Sequence, residues 1–384
     1  MHKTSITGLA ILTLIACLFS FGTAFAQSAT DNMEFRSPSV VLMDAASGKV
    51  LIEKNAHEPR AAASLTKIMT LLLAFEDIEA GKASLDDRVI ASAAVKEPKG
   101  TTIFLEEGEA MSLRDILLGV AVASGNDAAV AVAEHLAGTQ EKFTERMNRR
   151  ARELGMMNTQ FKNPHGLDAE GHYMSAYDMA LLAREACKHP GLLEMTAVFQ
   201  DYLRDGKTWL VNRNRLVRFY DGADGLKTGH TAKAKYCLAA TAKRDNLRLI
   251  AVVMGASDSD TRFNETRSLL NYGFANFEGL PVLKQGQPVS DVTVYKGRKE
   301  RVTLVARNDL AVTVPKGEAA NVVKETVLPD GVLAPIRKGD VLGYVYLLSE
   351  GEKIGEVELV AAEDVPKLGF LGMLYRVVGK FIRP

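Results

Sequence analysis

Ser64 and Lys67 stand three positions apart in Ala61-Ala62-Ala63-Ser64-Leu65-Thr66-Lys67, directly before an apolar run from Ile68 to Phe75. On a helix, that spacing puts two side chains on one face, with Cβ atoms roughly 5–6 Å apart. A serine hydroxyl is a weak nucleophile until an adjacent base takes its proton. Lys67 serves as that base only as the free amine, and an unperturbed lysine titrates near about 10.4. Bringing it to about 7 requires about 4 kcal/mol against the charged form. Burial and a neighbouring cation both act in that direction, and Lys227 is the candidate cation. The N-terminus of the helix adds unpaired N–H groups and a dipole that favours a developing anion. Two further triplets have the right chemistry. Ser124-Gly125-Asn126 could aim a hydroxyl and an amide into a cleft, and Lys227-Thr228-Gly229 offers a cation, a hydroxyl and a glycine that lets a substrate backbone approach.

The elements that must position these groups follow from the surrounding pattern. Ser39 to Lys54 reads as a hairpin around a Gly-containing turn. The Ser64 helix follows, then a polar segment from Asp77 to Gly108. Ser112 with Asp115 opens a helix that runs into Ser124-Gly125-Asn126, and a second helix starts at Asp127. Thr139 caps an amphipathic helix that Gly155 stops. A loop holds Asn163-Pro164-His165-Gly166-Leu167-Asp168, and Ser175 with Asp178 opens a helix ending near His189-Pro190. After Trp209 the chain becomes β-rich, and Lys227 starts a strand. Tyr236–Lys243 and Leu247–Met254 form a hairpin around Arg244-Asp245-Asn246. A last helix spans Asn264 to Phe277. This order predicts an α/β (α+β) layer structure in which N- and C-terminal strands share one sheet flanked by helices. Beyond Gly279, short alternating runs (Asp291–Tyr295, Val302–Leu304, Leu310–Val314, Asp340–Leu347) predict a small all-β domain over 280–364.

Composition excludes little but is consistent. Lys+Arg and Asp+Glu are both 47, so no basic excess points to nucleic acid. Residues 1–26 read as a secretory signal peptide, with an apolar stretch from Ile6 to Phe21 and a small-x-small site at Ala24-Phe25-Ala26. Leu14-Ile15-Ala16-Cys17 is the rival lipoprotein reading, disfavoured by the apolar residues that continue after the cysteine. Cys187 and Cys237 then remain, too few for a disulfide framework and without zinc spacing; both read as buried small hydrophobes. The tail, 365–384, places Leu371, Leu374, Val378 and Ile382 on one helical stripe and Arg376, Lys380 and Arg383 on another. It carries too many charges to span a bilayer, and an amphipathic helix lying on a membrane surface fits it.

The order Ser-x-x-Lys, Ser-x-Asn, Lys-Thr-Gly resembles the motif set of penicillin-binding proteins and class A β-lactamases. Over nearly all of the chain after the leader, it resembles the low-molecular-mass D-alanyl-D-alanine carboxypeptidases. Pro164-His165-Gly166-Leu167-Asp168, Asn212-Arg213-Asn214, Lys227-Thr228-Gly229-His230-Thr231, the β domain and the basic tail all contribute. Gly125 replaces the Asp of Ser-Asp-Asn, a change that the family accepts. The resemblance implies a β-lactamase/transpeptidase-like domain over 27–279 and release of the terminal D-alanine from a peptidoglycan pentapeptide. It implies Ser64 as nucleophile, Lys67 as its base and Ser124 as proton carrier to the leaving amine, with Lys67 or Lys227 behind it. Asn126 would hold the substrate backbone; Lys227, Thr228 and Arg213 would bind the terminal carboxylate. Gly229 would let the substrate approach, and the N–H groups of Ser64 and His230 would form the oxyanion site. β-Lactams would be inhibitors, no cofactor or metal is required, and the location would be the periplasmic face of the bacterial inner membrane.

Other features read blandly. His57, His135, His172 and His189 lack ligand spacing and read as surface or packing residues. His165 and Asp168 read as shaping a loop. Gly206-Lys207-Thr208 mimics the end of a phosphate loop, but Asp201 stands where its first glycine belongs. A β-lactamase would need a deacylating carboxylate before Ser175, and Glu170 is the one glutamate there, with Met174 where an asparagine is needed. A non-catalytic wall-binding scaffold is the remaining alternative.

Overall fold

The computed structural model describes residues 33–373, and the architecture below is that of the unit beginning at Ser37. The expected signal peptide, including Cys17, lies outside the described residues. Five strands make the main sheet: β1 (Ser39–Asp44), β2 (Val50–Lys54), β3 (Ala223–Thr231), β4 (Lys235–Arg244) and β5 (Leu247–Ala256), in the order β2-β1-β5-β4-β3. All neighbouring pairs are antiparallel. The N-terminal hairpin therefore shares a sheet with the late strands, as the element order implies. β1 is buried along its whole length because helices cover both faces of the sheet.

The longer helices are α1 (Lys67–Glu79), α2 (Leu113–Leu118), α3 (Asn126–Ala137), α4 (Gln140–Glu153), α5 (Ala176–Ala186), α6 (Pro190–Thr196) and α7 (Ser259–Asn276). α1 is apolar on every side, the mark of a helix inside a core. It touches α3, α4, α5 and β3. α5 packs on β1 and β5 from the same side, and α7 covers the opposite face. Gly273 permits that second contact, since a Cβ there would lie 2.4 Å from Leu249 Cδ1.

The caps stand where side-chain chemistry places them. Ser112, Thr139 and Ser175 accept the N–H groups of Asp115, Lys142 and Asp178. Some boundaries differ from expectation. α7 begins at Ser259 rather than Asn264, because Asp258 Oδ1 accepts the Thr261 N–H at 2.7 Å and caps it earlier. α5 ends at Ala186, and Pro190 opens α6 instead of closing α5, since a proline lacks only an N–H that a first turn leaves unused. β3 begins at Ala223, so Lys227 lies mid-strand. The ladder to β4 imposes pairing on Ala223 and Gly225, with an irregularity at Asp224 between them, although these residues have little strand preference of their own. Cys237 is buried and Cys187 half-buried; both are free thiols.

After α7 the regular structure is mostly β. Strands β6 (Phe277–Leu283) to β13 (Glu352–Ala361) surround a second apolar core that includes Val302, Leu304, Val345 and Leu359. β6 pairs with β9 (Leu310–Pro315). A six-stranded sheet has the order β10 (Val322–Val327), β12 (Val341–Ser349), β13, β8 (Arg301–Ala306), β7 (Pro288–Tyr295), β11 (Val332–Leu333). The expected tail starts later than Val365: Val365 is fully buried and bridges to Ile336, and Lys367 bridges to Gly297. Residues 370–373 are helical, and the rest of the expected stripe, from Leu374 to Pro384, lies outside the described residues. Among the described residues, no helix is long and apolar enough to cross a membrane.

Candidate active site

The nucleophile turn is a single 3-10 turn, Ala63–Thr66, from which α1 continues at Lys67. Ala63 takes φ +47°, a left-handed conformation that costs a residue with a Cβ about 1–2 kcal/mol. Its neighbours hold it there. From one side, Gly166 reaches so close that a Cβ would stand 1.9 Å from the Ala63 carbonyl oxygen. From the other, Gly229 of β3 presses on the turn; its Cβ would lie 3.1 Å from Ala62 O and 3.3 Å from Ser64 N. Below, Thr70 Oγ1 donates to Pro164 O at 2.6 Å, and Thr66 Oγ1 pairs with His172 Nε2 at 2.9 Å. The 163–172 loop and the edge of the sheet clamp the serine between them.

Lys67 is fully buried. Its Nζ lies 3.1 Å from Ser64 Oγ, 2.6 Å from Asn126 Oδ1 and 2.7 Å from His165 O. A neutral amine has two N–H donors and one lone pair. The amide and the carbonyl take the donors, and the lone pair is left for the Ser64 O–H. Burial holds the Lys67 pKa well below the usual lysine value; the Lys227 charge adds to this, and Asp127 opposes it. Lys227 is itself buried, with Nζ donating to Thr228 O at 3.2 Å. Burial, then the charges of Arg213 and Arg262, lower its pKa to about 7. His165 and His172 are held neutral by burial, with pKa values of about 3 and about 4.

Above this layer opens a cleft of about 900 Å³. Ser64, Ser124, Thr228, Gly229, His230 and Arg213 all line it, whereas Lys67, Asn126 and Lys227 form its buried floor. Ser124 follows a π-helical turn, Gly119–Ala123, and adopts φ +70°. Its hydroxyl has no hydrogen-bond partner among the described residues. Asn126 is engaged on both ends of its amide, since Nδ2 donates to Lys99 O at 2.6 Å. His230 packs against Tyr236 with the two rings tilted by 40° and their centroids 4.3 Å apart. Arg213 projects from a segment fixed on both sides: Asn212 donates to Thr196 O and Val198 O, and Asn214 donates to Gly225 O.

Three supporting residues carry no sequence motif. Asp127, buried, accepts the N–H groups of Ile103 and Leu105 at 3.0 Å and so holds the rim of the cleft. Arg204 grips the same rim through Ile103 O, Phe104 O and Glu109. Arg262 lines the cleft from α7, with Nη1 3.3 Å from both Gly229 O and Cys237 O, and burial lowers its pKa to about 10. Only the tertiary fold marks Arg262, because α7 approaches β3 from a distant part of the chain. No carboxylate lines the cleft among the described residues, and Glu170 is exposed on the loop outside it. Glu76, Glu185 and His189 do converge elsewhere, but Arg150 already bridges the two glutamates.

Comparison with known proteins agrees with this geometry. The family described as D-alanyl-D-alanine carboxypeptidase matches residues 24–258, and the one described as penicillin-binding protein 5, C-terminal domain, matches 277–367. A D-alanyl-D-alanine carboxypeptidase of Bacillus subtilis is 44% identical over 358 residues, 92% of each chain. The crystal structure of penicillin-binding protein 5 from Haemophilus influenzae superposes with a TM-score of 0.76 at 35% identity, covering 87% of this chain and 99% of that one. Penicillin-binding protein D2 of Listeria monocytogenes, solved in a cefotaxime-bound form, superposes with a TM-score of 0.59 at 31% identity over 63% of this chain and 99% of its own.

Proposed function

Because the chain belongs to the D-alanyl-D-alanine carboxypeptidase family, we propose that Ser64 carries its serine hydrolase chemistry through an acyl-enzyme. The protein is a serine D-Ala-D-Ala carboxypeptidase that acts on the cell wall and binds β-lactams. The Lys67 amine takes the Ser64 proton as Oγ attacks the carbonyl carbon between the two terminal D-alanines. The N–H groups of Ser64 and His230 hold the oxyanion. Ser124 relays the proton from the Lys67 ammonium to the leaving nitrogen, the C–N bond breaks, and D-alanine departs. Water then attacks the ester, giving its proton back through the same relay, and Ser64 Oγ leaves reprotonated. Lys227, Thr228 and Arg213 bind the terminal carboxylate, Asn126 orients the peptide, and Gly229 leaves room for its backbone.

The carrying observation is the 3.1 Å contact between the buried, pKa-lowered Lys67 and Ser64. The absence of a carboxylate among the described cleft residues argues against a β-lactamase, which needs one to turn the adduct over. A scaffold without catalysis would have no need of a buried lysine beside a serine. We divide the chain into a leader, 1–26, a peptidase domain, 27–279, a β domain that runs from 280 through the bridged Val365 and Lys367, and a surface anchor in the residues that follow. That division places an exported protein on the periplasmic face of the inner membrane. Incubating the protein with a peptide ending in D-Ala-D-Ala tests the reading: wild type should release one equivalent of D-alanine, and Ser64→Ala none. Release by Ser64→Ala at the wild-type rate would sink it.

A further inference from the structure

A second chamber, about 700 Å³, opens on the far side of His230, which lines both spaces. The first space carries Arg213 and Arg262 with Lys227 beneath, so it is the cationic side. The second is lined by Glu97, Lys99, Leu167, Asp168 and Thr231. Asp168 Oδ1 accepts the Thr231 hydroxyl at 2.9 Å. Asp168 Oδ2, the Glu97 carboxylate and the Lys99 ammonium have no side-chain partners among the described residues. Two acids against one base leave this chamber with a net negative charge.

Direction along the substrate follows from the same layout. With the terminal carboxylate held on the cationic side, the acyl part of the peptide must leave Ser64 the other way. β3 is an edge strand of the sheet, and its unpaired side runs toward Thr231. Gly229, which presses on the Ser64 turn, and Thr231 share a strand face and stand about 7 Å apart along it. One residue step of the peptide covers about 3.5 Å along the strand, and its side chain, standing roughly perpendicular to that direction, projects sideways into the space beside the strand.

Resting on the carboxypeptidase reading above, we propose that this chamber is a specificity subsite for the free side-chain amine of the residue preceding the D-Ala-D-Ala pair. Glu97 and Asp168 receive the ammonium, and Lys99 limits the net attraction. An amide at that nitrogen, such as a cross-link makes, removes the charge and the preference with it. The enzyme thereby favours stem peptides that are not cross-linked through that amine.

The test compares two tripeptides, Nα-acetyl-L-lysyl-D-alanyl-D-alanine with a free ε-amine and its Nε-acetylated form, by kcat/KM for D-alanine release. An exposed charge pair supports about a fivefold preference for the free amine, equivalent to about 1 kcal/mol, and it should shrink as salt is added. In the Glu97→Gln/Asp168→Asn double variant the ratio should fall to about one, while in Lys99→Gln it should rise. Labelling by a fluorescent penicillin reports that each variant is folded. Equal rates for the two peptides in wild type, or a ratio kept in the double variant, overturn the subsite and leave the activity standing. Release from neither peptide overturns the activity and the subsite together.

Discussion

Gly166→Ala puts the clamp on the nucleophile turn to a quantitative test. The new Cβ would stand 1.9 Å from Ala63 O, although real Cβ contacts essentially never fall below 3.0 Å. The loop and the turn must therefore separate by about 1 Å, at a packing cost of about 1–3 kcal/mol. The position also has φ +86°, which adds about 1–2 kcal/mol for a residue with a Cβ. Because Ala63 precedes Ser64, the displacement passes into the nucleophile, and a misplacement of about 1 Å can cost about a hundredfold in rate. Gly138→Ala is the control. Gly138 has a similar φ, +80°, but a Cβ there meets nothing within 4 Å, and the residue lies at the end of α3. The assay is the second-order rate of acylation by a fluorescent penicillin, with urea unfolding in parallel. Gly166→Ala should lose about a hundredfold in acylation and about 2–5 kcal/mol in stability, whereas Gly138→Ala should lose about 1–2 kcal/mol and keep its rate. Acylation of Gly166→Ala within about threefold of wild type would refute the claim that the loop sets the position of the serine.

Three other outcomes follow from the floor of the cleft. Lys67→Arg keeps a cation but cannot supply a lone pair, because a guanidinium stays protonated; acylation should fall by about a thousandfold, and a variant retaining a tenth of the rate would refute the base assignment. Asp127→Asn removes the charge that raises the Lys67 pKa, so the acidic limb of the acylation pH profile should move to lower pH; a move to higher pH contradicts the electrostatics. The same change turns an acceptor toward the Ile103 and Leu105 N–H groups into a poorer one, with an expected loss of about 2 kcal/mol by urea unfolding. Lys227 is charged below about pH 7 and neutral above it, so KM for a D-Ala-D-Ala peptide should rise as pH passes through about 7; a KM that stays flat from about pH 6 to about 9 argues against Lys227 as a carboxylate ligand.

Local chemistry made much of this protein readable from its residues. The 39–54 hairpin, the caps at Ser112, Thr139 and Ser175, and the β-rich end of the chain depend on side chains close in sequence, and each stands near its expected place. The three motifs identified Ser64, Lys67, Ser124, Asn126 and Lys227 as types and spacings suited to acyl transfer. The depression of the Lys67 pKa by burial and by Lys227 was also legible, because an amine can act as a base near neutrality in no other way.

Long-range contacts carried the rest. His165 supplies a carbonyl to Lys67 from 98 positions away, and neither the imidazole nor the motif announces a backbone acceptor. Arg262 reaches Gly229 from α7, Asp127 holds the rim from α3 and Arg204 from a turn, and Gly166 has its identity set by the Ala63 carbonyl. What the amino-acid order determined alone was which chemical groups exist and which short segments hold them. The tertiary structure decided which of those groups meet, because a hydrogen bond or a charge acts over a few ångströms of space and is indifferent to distance along the chain.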